Sequence, residues 1–212
     1  MLPESEGNDL QVHFVPLIPH DQAQAESNFG TKLDDTRPLR DLSKHPPYGV
    51  TILPSLILPR SSGRITLLSS DPKVYPNIEP GYFTDPLDME RAIVVSKFAA
   101  KVASGGPLGD VLGKPIVDPT IPDAYGTDEY FREYVKRSAI TIYHPTSTCR
   151  MGNPSRDPKA VVDSKLRVIG IKNLRVADAS VMPRIVSGNT NAPAIMIGER
   201  CADFIAAGHR DD

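Results

Sequence analysis

The residues best suited to chemistry in this 212-residue sequence lie in its last third. His144 is followed by Pro145, which restricts the backbone of the histidine, and a neutral imidazole can take a proton from an alcohol near neutral pH. The small hydroxyl residues that follow can orient such a ring by hydrogen bonding. The pattern indicates a candidate general base at His144, and a structural histidine bonded to the backbone is the alternative.

Two further polar residues could act with it. Asn189 lies in a run of small residues, 187–193, immediately before a predicted final helix. The start of a helix offers unpaired N–H groups and a positive dipole end, which suit an anion or an electron-rich ring edge; simple helix capping is the alternative. Asp178 follows the short apolar run 174–177 and could bind hydroxyls at the edge of a sheet, or cap the next turn.

The elements that position these residues begin with predicted strands. β-Rich runs predict strands over 10–17, over 48–58 with a break or bulge at Pro54, and over 64–68. Residues 71–80 are expected to run extended, with Ile78 pointing inward. Together these runs predict one meandering, largely antiparallel sheet.

Three helices are predicted. The first opens at Asp85, with Asp85 or Thr84 as its cap and Pro86 in its first turn, and it stops at Gly105. Apolar residues recur along it at helical spacing: Leu87, Ile93 or Val94, Phe98 and Val102. A second helix is predicted over 127–137. The third, over 192–207, is apolar on most sides, so much of it is expected to be buried.

Composition excludes several classes of protein. The 24 basic and 26 acidic residues nearly balance, so nothing points to nucleic acid or an anionic membrane as partner. The 21 prolines exclude a mostly helical bundle. Cys149 and Cys201 are the only cysteines, so no zinc site is predicted. No apolar run reaches the ~18 residues of a membrane helix, and no glycine-rich dinucleotide loop, Walker loop or serine-hydrolase elbow occurs.

The region from Tyr143 to Ile205 resembles the C-terminal region of the glucose-methanol-choline (GMC) family of flavin oxidoreductases. The resemblance rests on ordered motifs: HPTSTCRMG at 144–152, VVD at 161–163 with LRVIG at 166–170, LRVADASVMP at 174–183, VSGNTNAP at 186–193 and IGER at 197–200. The strand after Gly63 and the helix at Asp85 also look like the family's substrate domain.

This resemblance implies an FAD-dependent oxidation of alcohols. His144 matches the family's catalytic histidine, which removes the hydroxyl proton while hydride passes to the flavin N5. Asn189 matches the second active-site position, and it would hold or polarise the substrate oxygen because an amide cannot act as a base. Asp178 and Ala179 match the turn near the FAD ribose and pyrophosphate, and Thr190 and Asn191 match the segment beside the pyrimidine edge of the flavin.

The resemblance also implies a fold and its division. The expected class is α+β, with a substrate-domain portion over 1–142 and, over 143–212, the catalytic-histidine segment with a strand and helix that return to a doubly wound FAD domain. That FAD domain is expected to be missing, because the chain lacks its glycine fingerprint. We therefore expect a C-terminal fragment with an exposed apolar surface, weak FAD binding and little turnover by itself.

Two other functions stay open at this point. The chain could be a truncated, non-catalytic paralogue that acts as a binding or interaction module, and bound flavin would separate this reading from the oxidoreductase. A serine hydrolase that uses His144 and Asp178 is disfavoured by the missing elbow. The identity of the alcohol does not follow from the sequence.

Overall fold

The computed structural model describes residues 9–16, 49–118 and 120–208. These residues form two compact units. One unit contains residues 9, 57–88 and 141–208, and the other contains residues 10–16, 49–56, 89–118 and 120–140. All of the candidate site residues belong to the first of these, which we call the site unit.

The other unit opens with a two-stranded antiparallel sheet. Strand β1 (Leu10–Val15) pairs with β2 (Thr51–Leu56) in a continuous register that places Val12 opposite Pro54. The strands are confirmed, but the predicted break at Pro54 is wrong. Each strand of a two-stranded sheet keeps one edge outside the ladder, so a proline can stay in register there.

The site unit contains a second, separate hairpin. Strand β3 (Arg64–Thr66) pairs antiparallel with β4 (Asn77–Glu79). Antiparallel pairing is confirmed, but the described strands form two two-stranded sheets instead of the single predicted sheet. The inward direction predicted for Ile78 is wrong, since its side chain is 62% exposed.

Helix α1 (Pro86–Ser104) begins and ends as predicted. The Asp85 carboxylate accepts the Leu87 N–H at 2.9 Å, which caps the first turn. Of the alternatives Ile93 and Val94, Ile93 is buried. Phe98 is 57% exposed and Val102 is 41% exposed, so these two positions of the apolar pattern do not face the core that the described residues form. The apolar residues of α1 thus extend beyond the side of the helix that the other described residues bury.

Two more helices belong to the unit that contains β1 and β2. The short α2 (Gly106–Val111) was not predicted. Helix α3 (Asp128–Ser138) corresponds to the helix predicted over 127–137. Thr127 caps it, because its side-chain oxygen accepts the Tyr130 N–H at 3.2 Å. Its inward side chains Tyr130, Phe131 and Val135 are buried. The prediction of a helix here is therefore confirmed, and the structure adds its cap.

Helix α4 (Asn191–Gly208) closes the described chain. Only Ile197 and Cys201 of this helix are buried, and Ile195, Met196 and Ile205 are each 45% or more exposed. The prediction that much of this helix is buried is therefore wrong for the described residues. Composition showed that α4 is apolar, but it could not show which neighbours cover each face.

The core of the site unit lies beneath α4. It is formed by six buried residues: Val162, Leu166, Val181, Met182, Ile197 and Cys201. The short apolar runs after Ile140 contribute isolated bridges, Met151 with Val162, Val162 with Val168 and Arg167 with Arg175. The strand expected near residues 174–177 is therefore reduced to a single bridge, while the α+β class is confirmed.

Candidate functional site

His144 is held in a segment without regular structure whose backbone is closely constrained. Tyr143 before it and Ser147 after it both have left-handed backbones, with φ of 63° and 73°. Non-glycine residues seldom adopt this region, and such conformations cluster at functional sites. With Pro145 restricting the histidine from the other side, the segment gives the imidazole a defined direction.

The segment after His144 is attached to the turn that contains Asp178. The Cys149 N–H donates to the Ser180 carbonyl at 3.0 Å, and the Met151 N–H donates to the Val181 carbonyl at 2.8 Å. Asp178 caps this 3₁₀ turn (Ala179–Val181), because its Oδ1 accepts the Ser180 N–H at 2.7 Å. Asp178 thus has the capping role that the sequence left open.

A side-chain hydrogen bond connects His144 to the start of α4. The Nδ1 atom of His144 lies 2.9 Å from the Oγ1 atom of Thr190, although the two residues are 46 positions apart. Thr190 is buried, and its carbonyl accepts the first hydrogen bond of the helix, from the Ala194 N–H at 3.0 Å. The hydroxyl that meets the imidazole is therefore fixed at a helix terminus.

The residues on either side of Thr190 face solvent. Asn189 and Asn191 are exposed, and no hydrogen bond of the Asn189 amide occurs among the described residues. The N–H groups of Asn191 and Ala192 precede the first helical hydrogen bond, and Pro193 has none to offer. An exposed amide and two backbone donors therefore border the hydroxyl that holds His144.

A tight packing contact supports this segment from below. The Gly152 N–H donates to the Val162 carbonyl at 3.0 Å, and a Cβ at Gly152 would lie 2.9 Å from the Cβ of Ala160. Beside it Arg150 donates to Asp157 Oδ1 at 2.7 Å. The Arg150 guanidinium, followed by the Lys159 N–H, lowers the pKa of the Asp157 carboxyl.

A second carboxylate organises the loop that delivers Leu166 to the core. Asp163 accepts the N–H groups of Lys165 and Arg167 at 2.9 and 3.0 Å, and the Arg167 side chain at 2.8 Å. Partial burial raises the pKa of Asp163, but these hydrogen bonds outweigh it, so the pKa is lowered overall. The loop is thus stabilised by the ionised form of one side chain.

The structure brings most of the predicted site residues into one region. His144 contacts Thr190 directly, Asn189 and Asn191 adjoin Thr190 in the chain, and the turn at Asp178 and Ala179 is hydrogen-bonded to the residues that follow His144. The side-chain contact of Thr190 with His144 was missed, since the sequence gave that residue only a place in the flavin-facing segment or a role as one of the possible helix caps. Its hydroxyl at a helix start was the one available signal.

Other kinds of site find no support in the described part of the chain. No group of three or more His, Cys, Asp or Glu side chains is arranged to hold a metal ion there. None of the helices in that part is both long and apolar enough to cross a membrane. What remains is a constrained histidine beside polar groups at a helix terminus, an arrangement suited to proton transfer with a polar organic ligand.

Comparison with known proteins identifies the class to which this arrangement belongs. Residues 59–198 match the GMC oxidoreductase family. The chain therefore belongs to the GMC oxidoreductases, and it corresponds to their C-terminal region.

Named relatives cover nearly the whole chain. Human mitochondrial choline dehydrogenase is 41% identical over 198 residues, which are 93% of this chain and 30% of that protein. An alcohol dehydrogenase [acceptor] of Pseudomonas putida is 37% identical over 203 residues, 96% and 32% of the two chains. A structure of Aspergillus oryzae formate oxidase superposes with a TM-score of 0.70 at 33% identity, covering 86% of this chain and 30% of the other. The chain spans about a third of the length of these relatives.

Proposed function

We propose that the chain carries the catalytic and flavin-facing part of an FAD-dependent oxidoreductase that acts on CH–OH groups. The observation that carries the proposal is the hydrogen bond between His144 and Thr190, which brings the candidate base to the loop of Asn189. Family membership and relatives named as alcohol and choline dehydrogenases support the class of reaction.

The residues present fit one side of FAD. The N–H groups of Asn191 and Ala192, which precede the first hydrogen bond of α4 at its positive end, suit the electron-rich pyrimidine edge of a flavin. The Asp178 carboxylate uses one oxygen to cap its own turn, which leaves the other to accept a ribose hydroxyl, and Ala179 beside it is small enough for close approach. The formate oxidase that this chain resembles is described with FAD.

The adenosine diphosphate part of FAD is bound in Rossmann-type domains by a glycine-rich loop, which this sequence does not contain. We propose that a Rossmann-type domain, which would correspond to the rest of the relatives' length, binds that part of the cofactor. Accordingly we expect this chain by itself to retain little flavin.

The roles of the chain's own residues follow from their chemistry. When bound, FAD supplies an acceptor for the hydride that leaves the alcohol carbon. His144 takes the hydroxyl proton, because it is the titratable group of the site that can act as a base near neutral pH. Asn189 donates a hydrogen bond to the oxygen as its negative charge develops. One base and one fixed donor suffice for a single proton removal.

A hybrid enzyme tests the proposal. This chain replaces the matched C-terminal third of the Pseudomonas putida alcohol dehydrogenase, and the purified hybrid is incubated with FAD, gel-filtered and scanned for flavin absorbance. We expect the flavin to co-elute and its absorbance to bleach when an alcohol or choline is added without oxygen. His144→Ala should retain flavin and lose the bleaching, while the control His13→Ala, in the other unit, should keep both.

Two outcomes would overturn the proposal. Bleaching by the His144→Ala hybrid at the unaltered rate would remove the base from the mechanism. A hybrid that binds FAD stoichiometrically but is bleached by none of a panel of primary, aryl and amino alcohols would favour the non-catalytic binding module instead.

A further inference from the structure

We propose that Thr190 is a positioning residue, whose hydroxyl accepts a hydrogen bond from Nδ1–H of His144 and so presents the unprotonated Nε2 atom to the substrate. The inference rests on the proposed role of His144 as the base. Beyond that role, it specifies that Nε2 takes the proton and that the Thr190 side chain determines the tautomer of the ring.

The contact occupies one ring nitrogen. Nδ1 lies 2.9 Å from Thr190 Oγ1, and no second partner of either atom occurs among the described residues. Because an imidazole has only two nitrogens, Nε2 is the one left to meet a ligand. A base needs a lone pair at that atom, so in the neutral ring the hydrogen resides on Nδ1 and the threonine oxygen accepts it.

The threonine is well placed to hold this geometry. Its side chain is buried, its χ1 rotation is restricted by branching at Cβ, and its carbonyl is committed to the Ala194 N–H at 3.0 Å. On the other side the histidine backbone is confined between left-handed Tyr143 and Pro145. Both partners are therefore fixed before any ligand arrives.

Proton transfer leaves this bond intact. When Nε2 takes the hydroxyl proton, the ring becomes an imidazolium that still donates from Nδ1, and a hydrogen bond from a charged donor is stronger than one from a neutral ring. The opposite arrangement, with Thr190 donating to Nδ1, would place a hydrogen on Nε2. The neutral ring could then only donate to the substrate oxygen.

Nitrogen NMR on the 212-residue chain tests the inference without any turnover. The five histidines are labelled with ¹⁵N, the His144 signals are assigned by their loss in His144→Gln, and spectra are recorded near pH 9, well above the ordinary histidine pKa of ~6.5. We expect Nδ1 in the protonated range and Nε2 in the unprotonated range. Thr190→Val should produce a mixture of tautomers, and Thr190→Ser should restore the single form.

A hydrogen on Nε2 in the unaltered chain would overturn the inference, as would spectra that do not change in Thr190→Val. In the flavin-loaded hybrid we expect Thr190→Val to lower kcat by about 10- to 100-fold with KM nearly unchanged, and Thr190→Ser to recover most of it. An unchanged kcat would also count against the inference. The proposed function can fail separately. If the hybrid is inactive but His144 of the chain has the expected tautomer, the function is refuted and the inference about the tautomer is not.

Discussion

His144 and Thr190 lie 46 residues apart and meet through a 2.9 Å contact between an imidazole nitrogen and a hydroxyl oxygen. This contact attaches a constrained loop to the first residue position before a helix. Asn189 lies next to Thr190 in the chain, and consecutive Cα atoms are only ~3.8 Å apart. The contact therefore brings the proposed base and the proposed donor into one region.

Asn189 offers a test of function that leaves folding untouched. Its side chain is exposed and makes no hydrogen bond among the described residues, so Asn189→Ala should change the melting temperature little. In the flavin-loaded hybrid its kcat should fall by about 10²- to 10³-fold, as for other lost oxyanion donors. Asn189→Asp, which keeps the shape but replaces the amide donor, should lose at least as much. Unaltered kcat values for both variants would contradict the proposed role.

Helix α4 allows buried and exposed positions to be compared two residues apart. Ile197 is 7% exposed and lies in the core, whereas Ile195 is 60% exposed. Ile197→Ala should lower the free energy of unfolding by about 2–5 kcal/mol, and Ile195→Ala should stay within about 0.5 kcal/mol of the unaltered chain. Urea unfolding measures both. An equal loss for both variants would mean that the outer face of α4 is also packed.

The elements that the sequence predicted well are those whose causes are local. Asp85 and Thr127 each cap a helix through a backbone N–H only two or three residues away, so the starts of these two helices depend on residues that are close in the sequence. Burial is different, because it depends on distant segments. Phe98 and Ile195 lie on apolar helix stripes, yet they are exposed for want of a covering neighbour among the described residues.

In the candidate site, too, some features could be predicted from nearby residues, and others depend on contacts between distant segments. Residue type, position and motif resemblance all pointed to His144 and Asn189 as candidates, but the contact of His144 with Thr190 joins two parts of the chain that no periodicity relates. The left-handed backbone at Tyr143 was equally inaccessible, since a large aromatic residue carries no signal for that conformation. Resemblance therefore supplied the participants, and the fold supplied how they are held.

Gly152 tests the packing of the segment that follows His144. A Cβ there would lie 2.9 Å from the Cβ of Ala160, a contact too close to persist without movement. Gly152→Ala should therefore destabilise the chain by about 1–3 kcal/mol. Gly198→Ala is the matched control in the same unit, because its Cβ would meet no atom within 4 Å and alanine favours a helix by up to about 1 kcal/mol. Thermal unfolding of the two variants should shift in opposite directions, and parallel shifts would refute the close contact.

The pKa of Asp163 allows the pH dependence of the stability of the chain to be predicted. The pKa of its carboxyl is lowered in the folded chain because hydrogen bonds from Arg167 and from two backbone N–H groups outweigh partial burial. A lowered folded pKa means that the stabilisation is fully present above the ordinary value near 3.8 and is lost as the pH falls through the folded value. Asp163→Asn should therefore be less stable than the unaltered chain at pH 7, and the difference should shrink steadily below about pH 4.

Arg167→Gln should shift the NMR titration of Asp163 upward while leaving its backbone hydrogen bonds in place. A difference in unfolding free energy between Asp163→Asn and the unaltered chain that stays constant from pH 7 to pH 2 would show that the charged form of this side chain does not hold the loop.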